Sequence, residues 1–356
     1  MDILVLDDGI KGNLNQAMGI AEALAGKTEI FRVSLKGPSY RLPSRKGTHP
    51  LSGKLLSFLC CLRLWNPGEK LLMRLLKEQK TIAGRNFDII ISAGSVLAPV
   101  NLLLGKTSDK TASVQIMTPS MVPLKFFDFL VIPFHDYLKI KNKGLNNLIV
   151  TMGATNRINE DFLANEKMKL GEIMRLPSDK KKVGVVIGGD DQNYGISLNF
   201  IKKLLDALHK NEKECVFLYT TSRRTRMEVV FYLQNYLKES RSTAYSEFPG
   251  YSETSHYPGM LSLCDLIIVT EDSVNMISEA ASCGKPVIIL GVERKKRRKL
   301  IFDLTIEKFA EKGYAEYLPL CGLDTLNERI KTAGGRSSNK LREAEECARK
   351  ILKTLK

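Results

Sequence analysis

The 356-residue chain has no run of the roughly 18 apolar residues that a membrane-spanning helix needs. Its first apolar stretch, Ile3–Leu6, is far too short for the core of a secretory signal and reads as an opening β-strand. Cysteine has no telling pattern. Cys60, Cys61, Cys215, Cys264, Cys283, Cys321 and Cys347 show neither metal nor disulfide spacing, and most lie in apolar segments. They are expected to be small core residues in a reducing compartment. The 4 histidines are scattered without an HxxxH pair, so no metal site is expected. No zinc finger, RNA-recognition motif or other nucleic-acid signature is present, which disfavours nucleic acid as a partner. Acidic residues are also in deficit, 39 against 54 Lys and Arg, giving a formal charge of +15. A surface of that sign attracts phosphates and anionic lipid. The expected location is cytoplasmic, with peripheral binding to the inner face of a membrane as the alternative to a fully soluble protein.

What the chain does contain is alternation. Short apolar runs suggest strands at Ile3–Asp7, Glu29–Val33, Asp88–Ser92, Ala112–Ile116, Phe129–Pro133 and Leu148–Val150, with helical patterns between. The same grammar resumes at Val183–Ile187, Val216–Thr220, Leu266–Val269 and Val287–Leu290. Alternating β and α elements imply parallel sheets covered on both faces. The charged segment Asn159–Lys182 separates the two sets. A charged amphipathic helix near Asn339–Lys356 closes the chain. The segment Lys36–Lys80 has no clear strand and mixes ten cations with leucines, Phe58 and the sole Trp, Trp65. That is the composition of an interfacial helix on anionic lipid; a helical pair packed on the sheet with a solvated basic face is the alternative.

The most informative stretch is Cys264–Leu290. Leu266–Val269 reads as a strand buried on both faces, Asp272 and Ser273 as caps of a short helix, Gly284 as its left-handed stop and Pro286 as a block to continuation. A helix that opens at the carboxyl end of a parallel strand suits a phosphate. Asp272, Asn275 and Glu279 fall on one helical face, so Glu279, about two turns down, could accept hydrogen bonds from ribose hydroxyls. An ordinary βαβ unit with a solvated Glu is the alternative.

Other polar loops also follow strands. After the first comes DDGIKGNLNQ, where Gly9 and Gly12 allow close backbone approach and Asp8, Asn13 and Gln16 offer hydrogen bonds. Ser92–Ser95 and Gln115–Ser120 follow two more. In Pro-Phe-His-Asp, His135 beside Asp136 suits a general base, or a loop support. In IGGDDQ, Gly188 and Gly189 would admit a diphosphate, while Asp190 and Asp191 would face sugar hydroxyls, a metal or solvent. In TTSRR, the hydroxyls of Thr221 and Ser222 with Arg223 and Arg224 could hold phosphate, or form a cap with surface arginines. ERKKRRK at Glu293–Lys299 reads as a solvated charge run.

The fold expected is α/β, with two Rossmann-like domains facing a cleft in the GT-B manner. Residues 1–160 form the acceptor- and membrane-facing domain, residues 161–336 the nucleotide-sugar domain, and residues 337–356 a helix that packs back on the first.

DDGIKGNLNQAMGIAEAL, SAGSVLAPVNLLLGK, PFHDY, TMGATNRIN, IGGDDQNYGIS, TTSRRT and CDLIIVTEDSVNMISEAASCGKPV together resemble the ELM1-like family, in order across nearly the whole chain. The first loop departs at Lys11, where that family tends to carry Pro. The resemblance implies a GT-B-like fold. The Ser278–Glu279 helix is also similar to the donor-binding helix of MurG-type glycosyltransferases, which implies Glu279 on ribose and Ser273 near the phosphates. Plant members look like membrane adaptors that recruit a protein partner; bacterial members are labelled nucleotide-sugar epimerases. The expectation is a metal-independent glycosyltransferase with no cofactor beyond a nucleotide-diphosphate sugar, acting on a membrane-associated, lipid-linked acceptor. Asp8, His135 or Asp136 would handle the acceptor proton. A non-catalytic adaptor and an epimerase are the alternatives.

Overall fold

The computed structural model describes the chain apart from residues 27–28, 35–50, 76–81, 83–84, 107, 109, 121, 173, 250–254, 297–299, 334–337 and 356. The chain divides into two compact units, one of Met1–Arg157 with Arg342–Lys356, the other of Ile158–Leu341.

The first unit runs β1 (Ile3–Asp7), α1 (Lys11–Ala25), β2 (Ile30–Ser34), α2 (Leu51–Cys61), α3 (Trp65–Leu75), β3 (Ile89–Ala93), α4 (Ala98–Gly105), β4 (Ala112–Ile116), β5 (Phe129–Pro133), α5 (Phe134–Ile140) and β6 (Leu148–Thr151). Its six strands lie parallel in the order β2-β1-β3-β4-β5-β6. Successive strand side chains point to opposite faces, and both faces are apolar. Ile3, Val5, Ile89 and Ile91 pack under α1 and the C-terminal helix Glu343–Leu355, through Ile20, Leu24, Cys347 and Ile351. Leu4, Leu6, Ile90 and Leu130 pack with Leu56 and Leu72 of α2 and α3 and Leu102 of α4. The chain leaves β1 for β2 on one side, then crosses back to β3 on the other, so the strand order reverses between β1 and β3.

The second unit runs α6 (Glu160–Gly171), β7 (Lys181–Ile187), β8 (Tyr194–Gly195), α7 (Leu198–His209), β9 (Cys215–Thr221), α8 (Met227–Glu239), β10 (Thr243–Glu247), α9 (Tyr257–Leu263), β11 (Leu266–Thr270), α10 (Val274–Ser282), β12 (Val287–Leu290), β13 (Glu293–Arg294), α11 (Ile301–Glu311), β14 (Glu316–Leu318) and α12 (Leu326–Thr332). Its main sheet has the order β10-β9-β7-β11-β12-β14, all parallel. This is the doubly wound dinucleotide-fold order, with the reversal between β7 and β11. Helix starts follow side-chain chemistry. Asn159 accepts from the Phe162 amide to cap α6, and Ser197 accepts from Phe200 to cap α7.

The apolar runs all became strands. Four further strands appear: β8 and β13 pair as a two-residue antiparallel ribbon, and β10 and β14 are edges whose segments TAYSE and EYL are only partly buried. An edge strand lacks the continuous apolar run that burial on both faces imposes. Helix α1 begins at Lys11 rather than Leu14, so the first loop shrinks to residues 8–10, and Gly12 and Asn13 belong to the first helical turn.

Candidate functional site

In the second unit, β9, β7 and β11 are neighbours, so the loops that follow them meet at the carboxyl edge of the sheet. Asp272 joins all three. Its carboxylate accepts from the Thr270 hydroxyl at 2.7 Å, the Gly189 amide at 2.9 Å and the Arg224 guanidinium at 2.9 Å. Burial pushes the Asp272 carboxyl up, against those hydrogen bonds and the Arg224 cation. Thr225 donates to the Gly188 carbonyl at 2.5 Å, and the Gly188 amide donates to Thr270 at 2.8 Å. The fit leaves no room for side chains. A Cβ on Gly188 would collide with the Asp272 carboxylate, and one on Gly189 with the Arg224–Thr225 peptide.

Asp190, Asp191, Ser222 and Arg224 of IGGDDQ and TTSRR thus serve the loops themselves. Arg224 also donates to the carbonyls of Gly189, Asp190 and Asp272, which takes its guanidinium away from a free phosphate role. Ser222 accepts from the Arg224 amide in a local turn, and Thr221 is buried at 2 % exposure, its hydroxyl without a hydrogen-bond partner among the described residues. Arg223 is exposed, with no ion pair or hydrogen bond among the described residues. Asp191 accepts from the amides of Asn193 and Tyr194. Asp190 accepts from the Ile196 amide and meets Lys295 at 3.1 Å and Arg226 at 3.5 Å. Burial would raise the Asp190 carboxyl, but that amide and the two cations hold it below its ordinary value. Of the partners expected for these carboxylates, solvent is partly met, since both are half-buried, and the rest of each carboxylate is taken by its own backbone and, for Asp190, by cations.

Sequence reasoning missed a second network behind this edge. Glu271 is fully buried; its carboxylate accepts from Arg294 at 2.7 Å, Tyr317 at 3.1 Å and the Val292 amide at 3.0 Å. Arg294 also meets Asp303 at 2.8 Å. The signal available was a carboxylate directly after a buried strand. ERKKRRK is correspondingly not wholly solvated, because Arg294, Lys295 and Lys296 are engaged. Residues 297–299 lie outside the described part.

Helix α10 opens on Ser273, whose side chain makes no capping bond, contrary to expectation. Gly284 has φ +69°, the left-handed stop expected. Asn275 and Glu279 are half-buried. Ser278 is fully buried and donates back to the Val274 carbonyl at 2.7 Å, so its side chain faces the fold. Asp272 does not share the outer face of Asn275 and Glu279, because it turns inward to the loops.

In the first unit, Gly9 and Gly94 border the reversal point with φ of +81° and +79°, values open to glycine and strained for other residues. Asp8 is buried; it accepts from the Ile10 amide at 2.9 Å and Asn13 at 2.7 Å. Burial raises its carboxyl despite those donors. Gln115, Ser92 and Asn101 form a buried amide and hydroxyl network one layer below. His135 and Asp136 open α5, with His135 Nε2 3.8 Å from the Asp136 carboxylate and Lys139 at 2.7 Å from it. Burial lowers the His135 pKa; Asp136 opposes this and Lys139 adds to it. Three strand spacings separate the ends of β1 and β5, roughly 14 Å, so Asp8 and His135 do not form one hydrogen-bonded constellation. Among the described residues no group of three His, Cys, Asp or Glu is arranged to hold a metal ion, and no helix is long and apolar enough to cross a membrane.

Solved structures share this architecture over the whole length. The UDP-GlcNAc 2-epimerase of Neisseria meningitidis bound to UDP-GlcNAc has a TM-score of 0.59 at 14% identity, covering 100% of this chain and 99% of that one. The corresponding enzyme of Methanocaldococcus jannaschii has a TM-score of 0.59 at 15% identity, covering 99% and 100%. The fold is therefore two parallel α/β sheets of the GT-B kind. In sequence, the uncharacterized protein RP120 of Rickettsia prowazekii is 26% identical over 386 aligned positions, covering 100% of this chain and 99% of that protein. Mitochondrial fission protein ELM1 of Arabidopsis thaliana is 27% identical over 243 positions, 62% of this chain and 55% of the plant protein. A family profile described as Mitochondrial fission ELM1 matches residues 11–355, and the chain belongs to that family.

Proposed function

We propose that the second unit binds a nucleotide-diphosphate sugar and that the protein transfers the sugar to a hydroxyl of a membrane-associated acceptor. One observation carries the reading. At the reversal point between β7 and β11, α10 starts without a side-chain cap, the exposed Arg223 lies on the loop after β9, and the half-buried Glu279 lies on the second turn of α10. The first N–H groups of a helix lack intrahelical acceptors and favour an anion. Arg223 lies on the loop of β9, two strand spacings from β11, about 10 Å, within reach of a diphosphate. Glu279 takes the ribose hydroxyls. Asp272, Arg224, Thr225, Gly188 and Gly189 hold the loops that frame this site.

In the transfer, the acceptor oxygen bonds to the anomeric carbon as the bond from that carbon to the diphosphate oxygen breaks. The electron pair leaves with the diphosphate, whose growing charge the α10 start and Arg223 offset. The acceptor proton passes to a base. Burial keeps His135 neutral near pH 7, a form able to accept a proton, and Asp136 stabilises the cation formed. Asp8, buried in its own turn, is the less accessible candidate. No cofactor beyond the donor is invoked.

A second reading, epimerisation of the nucleotide sugar, draws on the whole-length likeness to UDP-GlcNAc 2-epimerases. Product analysis separates the two, since only transfer consumes an acceptor. The binding step is tested by thermal shift with UDP, GDP, CMP, ADP and their sugars, on wild type and Glu279→Ala. A ligand at 100 times its dissociation constant adds about 2.7 kcal/mol. The expected result is stabilisation by one nucleotide that Glu279→Ala loses. Stabilisation undiminished in the variant would remove Glu279 from the site. No shift with any nucleotide would sink the donor reading and favour a non-catalytic adaptor.

A further inference from the structure

The elbow between α2 and α3 exposes a cluster of large apolar side chains. Phe58 is 56 % exposed, Leu62 52 % and Leu64 41 %, while Leu56, Cys60 and Leu72 of the same helices are fully buried. The two helices therefore pack their inner faces on the unit and leave a second apolar patch outside. Phe58 and Leu62, four apart, share one helical face, and Leu64 follows in the turn.

The turn itself is unusual. Leu64 N–H donates to the Leu59 carbonyl at 2.9 Å and Arg63 N–H to Cys60 at 3.2 Å, a Schellman stop. The left-handed residue of such a stop is most often glycine. Here it is Arg63, with φ +56°. Its guanidinium lies 5.1 Å from the Phe126 ring centre, which Lys125 approaches to 5.4 Å and Trp65 meets edge-on at 5.3 Å. Arg63, Lys70 and Lys125 are exposed, and none has an ion pair among the described residues. A strained backbone thus presents a cation next in sequence to exposed apolar side chains, and Lys125 approaches the same Phe126 ring.

We propose that this elbow is an anionic-bilayer docking site: Phe58, Leu62 and Leu64 enter the headgroup–acyl boundary, and Arg63, Lys70 and Lys125 pair with anionic headgroups. Charge decides the occupant. Exposed apolar side chains with the cation of Arg63 among them, and Lys70 and Lys125 exposed on neighbouring segments, match a surface that is anionic outside and apolar within, and such binding scales with buried apolar area plus attraction to anionic lipid. The inference rests on the membrane half of the proposed function and is independent of its donor half.

Trp65, the single Trp of the chain, sits at the elbow and reports on it directly. The full chain is mixed with vesicles of phosphatidylcholine containing about 30 % phosphatidylglycerol, and with phosphatidylcholine alone. Expected are co-sedimentation and a blue shift of Trp65 with the anionic vesicles only, and quenching by brominated acyl chains. The triple variant Phe58→Ser, Leu62→Ser, Leu64→Ser should lose about tenfold or more in vesicle affinity while keeping any nucleotide-dependent thermal shift. Arg63→Gly gives opposite signs in two readouts: vesicle affinity falls, while the melting temperature holds or rises because the left-handed strain is relieved. Lys238→Ala, which removes one charge from α8, should bind as wild type. Unchanged vesicle binding in the triple variant, or an equal fall in Lys238→Ala, would mean that overall charge alone drives adsorption and would overturn the proposal. So would failure to bind anionic vesicles, or a wild-type dimer that the triple variant converts to monomer. A missing nucleotide shift in every variant would fail the donor reading alone.

Discussion

The carboxyl edges of the two sheets are built differently although both lie at a reversal of strand order. In the second unit, loops from three adjacent strands interlock at backbone distance, with Gly188 and Gly189 pressed against Asp272 and the Arg224–Thr225 peptide. Two of its buried carboxylates meet arginines, Asp272 with Arg224 and Glu271 with Arg294, while Glu247 is held by the Tyr245 and Ser255 hydroxyls and the His256 amide. In the first unit, Asp7 does meet Arg32, but Asp8 is held by an amide and Asn13, and Glu343 by the amides of Met152 and Gly153. No cation pairs with Asp8 or Glu343 among the described residues. Burial raises both carboxyls, that of Glu343 to about 7, as it also raises the arginine-paired Asp272. The contrast separates two uses of polar motifs within one chain: in the second unit interlocked loops braced by arginine–carboxylate pairs, and in the first the carboxyls of Asp8 and Glu343, held by hydrogen-bond donors.

The sharpest way to break this contrast is Gly189→Ala. The new Cβ would fall on the Arg224–Thr225 peptide, which has no flexible end to move aside. A loss of about 3 kcal/mol or more is expected in urea unfolding. Near-wild-type stability would show that the loops are not locked together.

Next in size is the pH dependence of the first unit. The Glu343 carboxyl is raised from 4.5 to about 7, chiefly by burial. A raised acid contributes stability that is complete below its unfolded value and is lost as pH rises through the folded value. Glu343→Gln, which mimics the protonated form, should therefore gain on wild type between pH 5 and pH 8, by at most about 3 kcal/mol. Melting curves at the two pH values would check it, and a constant difference between wild type and variant would refute it.

Asp272→Asn should cost about 2 kcal/mol, because Arg224 keeps its carbonyl partners but loses its carboxylate. Chemical denaturation measures this loss directly. The smallest effect on stability belongs to Arg223→Ala, within about 0.5 kcal/mol, since the side chain is exposed and unengaged among the described residues. Yet nucleotide affinity measured by calorimetry should fall in this variant. If it does not, Arg223 belongs to the surface and not to the donor site.

Much of the fold was legible because parallel strands covered on both faces must be continuous apolar runs, as ILVLD, IIISA and LIIVT are. The same rule hid β10 and β14, which are edges. The candidate site was legible as a set of loops but not as a set of roles. Glu271 and Arg294 gave no local signal of their side-chain partners, which lie at least 21 and 9 positions away in sequence, and Thr225 reaches Gly188 across 37. Ser278 belongs to the helix that resembles a donor-binding helix and proved to be back-bonded and buried. The amino-acid sequence by itself determined the alternation of strands and helices, the two sets of elements, the left-handed stop at Gly284 and the excess of positive charge. These follow from local periodicity, backbone sterics and composition. Only the tertiary structure decided which loops meet, because strand order brings together segments that are distant in the chain. It also decided which polar groups hold those loops and which remain outside, because burial forces a polar group to find partners wherever packing supplies them.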